Sequence, residues 1–136
     1  MQTREAWKES KPDAKTDDRQ EVGFGITEVG PGDFETTELQ TQGNPIKVEL
    51  EVSKNSAGTV HTHPVGTAFV KDPESGKRVG VQKKPGKGDE KLAKKTNAPA
   101  YAVANNKIYR VDPQTGDVKV ILSGKDFRGY MGQEKR

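Results

Sequence analysis

The chain has 136 residues, a net charge of +3, 29% hydrophobic and 32% charged residues, and a mean hydropathy of −0.94. That length predicts one domain with a small core, and no run approaches the roughly 18–20 apolar residues of a membrane helix. Cysteine is absent, which excludes disulfides, thiolate catalysis and cysteine-ligated zinc.

Most of the positive charge lies in residues 71–95, which carry nine Lys/Arg against four Asp/Glu. Only one of the nine is an arginine, Arg78, and no aromatic interleaves them. A nucleic-acid track wants aromatic or arginine platforms. The segment therefore reads as a solvated basic loop, with an acidic protein as a compatible partner. Neither nucleic acid nor membrane is expected as a partner. The opening "MQTREAWKESK" is polar throughout, so it does not read as a signal peptide. The chain reads as soluble, and cysteine-free composition fits a reducing cytoplasm or a secreted domain without disulfides.

In chain order, residues 3–10 predict a short helix anchored by Ala6 and Trp7, and Pro12 with the charged stretch after it ends that helix. "EVGFGITEV" (21–29) is a β-prone run with two glycines, and "GPGD" (30–33) is a turn. "FETTELQT" and "IKVELEV" alternate with the period of two of half-buried strands, and "QGNP" turns between them. "GTVHT" is a further short strand. Residues 64–88 read as a long loop with room for a small hairpin. "DEKLAKKT" then forms a short helix, acidic first and basic last, as the helix dipole favours. "AYAVAN", "KIYRVD" and "VKVIL" close the pattern as three strands joined by "NN" and "PQTGD". The order implies an α+β fold, a mixed or mostly antiparallel sheet flanked by short helices. The expected domain spans 1–122 with a loop insert at about 67–84, and 123–136 has no clear period and is expected to be a frayed tail.

Both histidines of the chain fall in "GTVHTHPVG", at His61 and His63. On a strand, residues two apart project to the same side, so the imidazoles converge and Thr62 points away. Two such rings supply two legs of a tetrahedral zinc site, and a catalytic zinc adds a third protein ligand and an open position. No other imidazole exists, so that ligand is a carboxylate. Asp89, at the start of the second helix, is the candidate, although the same position suits an ordinary N-cap. Hydrolysis also needs a base, and Glu21, just before the glycine-containing strand, is the candidate for it. Composition alone favours reading Glu21 as a solvated charge in an acidic linker.

The order of "EVGFG" (Glu21), "HTHP" (His61, His63, Pro64) and "PGKGD" (Asp89) resembles the JAMM (JAB/MPN) metalloprotease domain. The flanks "GDFETTELQTQG" and "APAYAVANNKIYRVDPQTG" resemble a bacterial branch of that clan associated with polymorphic toxins, and the likeness covers roughly residues 3–122. It implies a cytidine-deaminase-like MPN fold, a Zn2+ held by His61, His63 and Asp89, and Glu21 as the catalytic base. It further implies hydrolysis of a peptide or isopeptide bond, a ubiquitin-like or extended polypeptide as substrate, and an immunity protein as partner of a toxin domain. Such a peptide is expected to add to an exposed strand edge beside the metal. Two positions depart from the family pattern. The serine of its "SxxD" falls on Gly86, and losing one oxyanion donor costs on the order of 10²–10³ in rate, unless a loop N–H or Lys87 replaces it. The spacing from His63 to Asp89 is also longer than usual, through the insert "TAFVKDPESGKRVGVQKK". A catalytically silent binding module is accordingly the rival to a peptidase.

Overall fold

The structure is a computed structural model that describes residues 2–12, 14–15, 18–44, 48–52, 55–64, 69–80, 85, 87–104 and 106–132. Its helices are α1 (Gln2–Glu9), α2 (Lys87–Thr96) and α3 (Gly124–Met131). Its strands are β1 (Gly23–Gly30), β2 (Asp33–Thr36), β3 (Ser56–Thr62), β4 (Phe69–Lys71), β5 (Arg78–Gly80), β6 (Ala100–Ala104), β7 (Lys107–Val111) and β8 (Val118–Ser123). Six of them form one mixed sheet in the order β2-β1-β3-β6-β7-β8. Every neighbour is antiparallel except β3 and β6, which run parallel. The fold is α+β, with three short helices around this sheet.

The parallel pair positions the site. A parallel neighbour cannot be reached by a tight turn, so the chain must leave the end of β3 and return to the start of β6. The β4–β5 hairpin and α2 occupy that crossover. Because α2 leads into β6, its first turn lies at the end of β3, where the histidines are. Strand register then sorts the side chains by face. Gly23 and Gly25 of β1, Thr59 and His61 of β3, and Ala100 and Ala102 of β6 share one face. There α2 packs through Ala93 against Ala100 and Val111. The opposite face carries Phe24, Val60, Val103 and Ile108, packed under Ala6 of α1 and Phe127 and Met131 of α3. Trp7 lies against the same cluster, as its anchoring role predicts.

Three sequence expectations change. Residues 123–136 do not fray as a whole: 124–131 form α3, with Phe127 fully buried. The glycines there obscure an amphipathic turn, and its apolar residues are few but correctly spaced. The helix ends at Gly132, whose positive φ of 70° supplies a left-handed cap. Residues 48–52 are not a strand. The N–H groups of Glu49 and Glu51 donate to the side-chain oxygens of Gln42 and Gln40, so glutamine side chains stand in for a neighbouring backbone. Finally, the strand expected over "FETTELQT" stops at Thr36, and only an isolated bridge from Gln40 to Gly23 continues the pairing. Within the expected insert, β4 and β5 form the hairpin, and 67–68 and 81–84 lie outside the described residues.

Since Phe127 anchors α3 in the main core, Phe127→Ala is expected to cost about 3–5 kcal/mol. Urea unfolding of the two proteins measures it. A loss below about 1 kcal/mol would show that α3 stands outside the cooperative unit.

Candidate metal centre

Four segments meet at the end of β3. His61 is its penultimate residue and His63 follows it by two. Register fixes their height: Gly23 lies opposite His61 on β1, and Ala102 lies beside it on β6. Neither neighbour fills the space above the sheet. A Cβ at Gly23 would come within 2.9 Å of the Val60 carbonyl and 2.6 Å of Leu50 Cδ2, so only glycine fits.

The two imidazoles converge. Their Nε2 atoms lie 2.8 Å apart, and the rings are 4.8 Å between centroids, tilted by 44°. Asp89 reaches both from the first turn of α2: Oδ1 is paired with His61 Nε2, and Oδ2 lies 3.7 Å from His63 Nε2. Asp89 is thus the third residue of a helix that begins at Lys87, and its carboxylate is turned onto the histidines. Ala93, one turn later, holds that side of the helix against the sheet. The helix dipole favours the negative charge at this end.

Glu21 completes the cluster. One carboxylate oxygen of Glu21 and one ring nitrogen of each histidine all lie within 4.8 Å of one another. The residue is buried, 5% exposed. Its backbone is pinned by Glu21 N donating to Asn44 O (2.8 Å) and by Thr41 Oγ1 donating to Glu21 O (2.7 Å). The buried Glu21–His61–His63 group can hold a metal ion.

The donor set fits a cation. His61 Nε2 faces both His63 Nε2 and the Asp89 carboxylate and carries at most one proton. A divalent ion resolves this competition because every facing atom then offers a lone pair. Donor atoms of a tetrahedral zinc site are about 3.3 Å apart, given Zn–N near 2.0–2.1 Å. The spacings of 2.8 and 3.7 Å fall on either side of that value.

The two carboxylates differ in character. Burial pushes Glu21 up to about 7; His63 opposes the rise and the charge of Asp89 adds to it. Burial acts to raise Asp89 as well, but the charge and hydrogen bonds of His61 and His63 outweigh it and hold Asp89 well below the usual carboxylate range. One acid is poised to exchange a proton near neutrality while its neighbour stays ionised.

All four residues singled out from sequence, Glu21, His61, His63 and Asp89, are brought together. Gly86, where the oxyanion donor was in question, lies outside the described residues. Two residues that the sequence did not flag hold the centre in shape. Thr62, between the histidines, turns to the opposite face and is fully buried. Its N–H donates to Val22 O (2.8 Å), and its Oγ1 accepts from Val22 N (3.0 Å), which locks the Glu21 segment to the histidine strand. Arg19 donates from Nη1 to Pro64 O (2.8 Å) and from Nε to Ala14 O (2.9 Å), which ties the turn after His63 to the same segment. Nothing in the chain pointed to Arg19. No helix among the described residues is long and apolar enough to cross a membrane. Comparison of the chain with protein-family models, with curated proteins and with solved structures finds no match.

The raised Glu21 makes a stability prediction for the metal-free protein. Its folded value lies above the ordinary 4.5, so the native state keeps a proton that the unfolded chain releases between pH 4.5 and about 7. Stability contributed by that proton is complete below pH 4.5 and is lost as pH rises to 7. Above pH 7 the buried charge costs up to roughly 3 kcal/mol. With chelator present, Glu21→Gln is expected to melt several degrees above wild type at pH 8 and close to it at pH 4.5. Equal melting temperatures at pH 8 would show that Glu21 is not held in a dry site.

Proposed function

We propose that this centre binds one Zn2+ through His61, His63 and Asp89, and that the chain is a JAMM-like zinc metallopeptidase or isopeptidase. The observation that carries the reading is the convergence of both Nε2 atoms and the Asp89 carboxylate on one point, with Glu21 buried beside them. Two nitrogens and one oxygen are the donor set of several hydrolytic zinc sites. The same set suits Fe(II), but a carboxyl poised near 7 within reach of the centre favours acid–base chemistry. The position of the histidines at a strand end, facing the first turn of a helix, is compatible with a cytidine-deaminase-like MPN arrangement.

Bound zinc supplies Lewis acidity, lowering the pKa of a water toward about 7 and polarising the scissile carbonyl. The chain supplies the rest. Glu21 accepts the proton that the attacking water gives up and returns it to the departing amine, so it ends the cycle as it began. Asp89 stays ionised and, with His61 and His63, would hold the ion. The dry wall of Gly23, Ala100 and Ala102 strengthens each of these interactions by excluding water.

The resemblance extends the proposal to a polypeptide substrate, ubiquitin-like or extended, and to a toxin or effector role with an immunity protein as partner. A peptide adding to β1 beside the metal meets an obstacle. The outer edge of β1 at Gly23 and Gly25 is already bonded to Gln40 and Thr37. In this reading the peptide would instead follow the recess lined by Gly25, Ile26, Thr37, Leu39 and Val52, whose lining does not itself include Glu21, His61, His63 or Asp89.

A second reading rests on Glu21 lying close enough to act as a ligand itself. A four-ligand centre is closed to water and makes the domain a silent binding module. Glu21→Gln separates the two. In the peptidase reading the variant keeps about one zinc per chain and loses chelator-sensitive hydrolysis of a peptide panel; in the binding-module reading it loses zinc. His61→Ala and His63→Ala are expected to lose zinc in either case. Stoichiometric zinc in the double alanine variant, measured by metal analysis of purified protein, would overturn the centre altogether.

A further inference from the structure

Among the described residues, three buried side-chain polar atoms have no hydrogen-bond partner: Arg4 Nε, Thr59 Oγ1 and His61 Nδ1. Arg4 lies on α1, and its guanidinium still donates to Tyr130 O (3.0 Å). The other two are close neighbours. Thr59 and His61 are two residues apart on β3 and project to the same face. Thr59 is fully buried and His61 is 5% exposed.

Their cross-strand neighbours offer no side-chain partner. The sheet neighbours of Thr59 on this face are Gly25 and Ala100, and those of His61 are Gly23 and Ala102. Above them α2 presents Ala93 against Ala100. None of these side chains carries a polar atom, so the two orphaned atoms share one apolar stretch of the sheet. Same-face neighbours on a strand are about 6.6 Å apart along the chain. That spacing is between backbones; a single water making two hydrogen bonds of about 2.8 Å reaches at most about 5.6 Å, so it joins the two atoms when their side chains lean toward each other by about 1 Å or more, and two partners are the minimum that hold a buried water.

The chemistry assigns the direction. For His61 to offer Nε2 to a metal, its ring proton must sit on Nδ1, and that N–H needs an acceptor. We propose that Thr59 is the positioning residue of His61: its hydroxyl, through one buried water, receives the Nδ1 proton and fixes the ring in the metal-binding tautomer. The inference rests on the metal reading of the centre and adds to it a residue outside the ligand set. A threonine on a strand also has a plain explanation, since its β-branched shape suits the pleated surface. That explanation needs the methyl and not the hydroxyl.

The two are separated by Thr59→Val and Thr59→Ser. Zinc dissociation constants are measured by competition with a chromophoric chelator, with melting of the metal-free proteins as the control. The positioning role predicts 10–100-fold weaker zinc binding for Thr59→Val. It predicts a Thr59→Ser variant close to wild type and a metal-free Thr59→Val protein no less stable than wild type. Unchanged zinc affinity in a folded Thr59→Val overturns the proposal and leaves the metal centre standing. Failure of the wild type to take up zinc overturns both. Should Thr59→Val not fold, the His61 ring proton decides by nitrogen-edited NMR of the zinc-bound wild type. A slowly exchanging Nδ1–H supports the proposal, and a proton in fast exchange with bulk water overturns it.

Discussion

The centre depends on the register between β1 and β3. Gly23 stands opposite His61, and both Thr62 bonds to Val22 fix that pairing at its open end. A slip of one residue would carry His61 to the face occupied by Phe24 and Val60 and bring Thr62 toward α2. The histidine spacing alone does not prevent this, because an alternating pair is equally self-consistent on either face. What prevents it is the difference between the faces. One is apolar and thick, filled by Phe24, Val103, Phe127 and Met131. The other carries glycine at β1 and alanine at β6 beside the histidine strand, and there the imidazoles and α2 are accommodated.

That asymmetry also explains the approach of α2. Small residues on β6 let the helix settle through Ala93, and the first turn then reaches the end of β3. The carboxylate of Asp89 there meets both imidazoles. Glu90, its neighbour, faces outward and pairs with Lys94 one turn on. Two adjacent acids on one helix thus have different roles, decided by which side meets the sheet.

Much of this was legible in the chain. The period of two placed both histidines on one side, and the acidic first turn marked the start of α2 near Asp89. The strands from "AYAVAN" to "VKVIL" read correctly because hairpin turns punctuate them. Other parts were not legible for physical reasons. The alternation in 46–52 is that of a strand, but Gln40 and Gln42 satisfy its N–H groups with side chains, which no periodicity shows. Phe127 and Met131 are too sparse among glycines to announce a helix. Thr62 and Arg19 act through backbone carbonyls and amides of distant segments, and such partners become visible only when the fold sets them side by side.

The contrast between Glu21 and Asp89 follows from the same geometry. Both carboxyls are buried, and burial alone would raise both. Asp89 meets His61 and His63 directly and stays charged. Glu21 lies at the margin of that cluster, where His63 attracts its charge and Asp89 repels it. Moving Asp89 out of the centre would therefore do more than remove a ligand. It would take away the repulsion that helps keep Glu21 protonatable near neutrality and free His63 to stabilise the Glu21 carboxylate instead. A site with one fixed charge and one exchangeable proton needs both acids, at unequal distances from the same pair of rings.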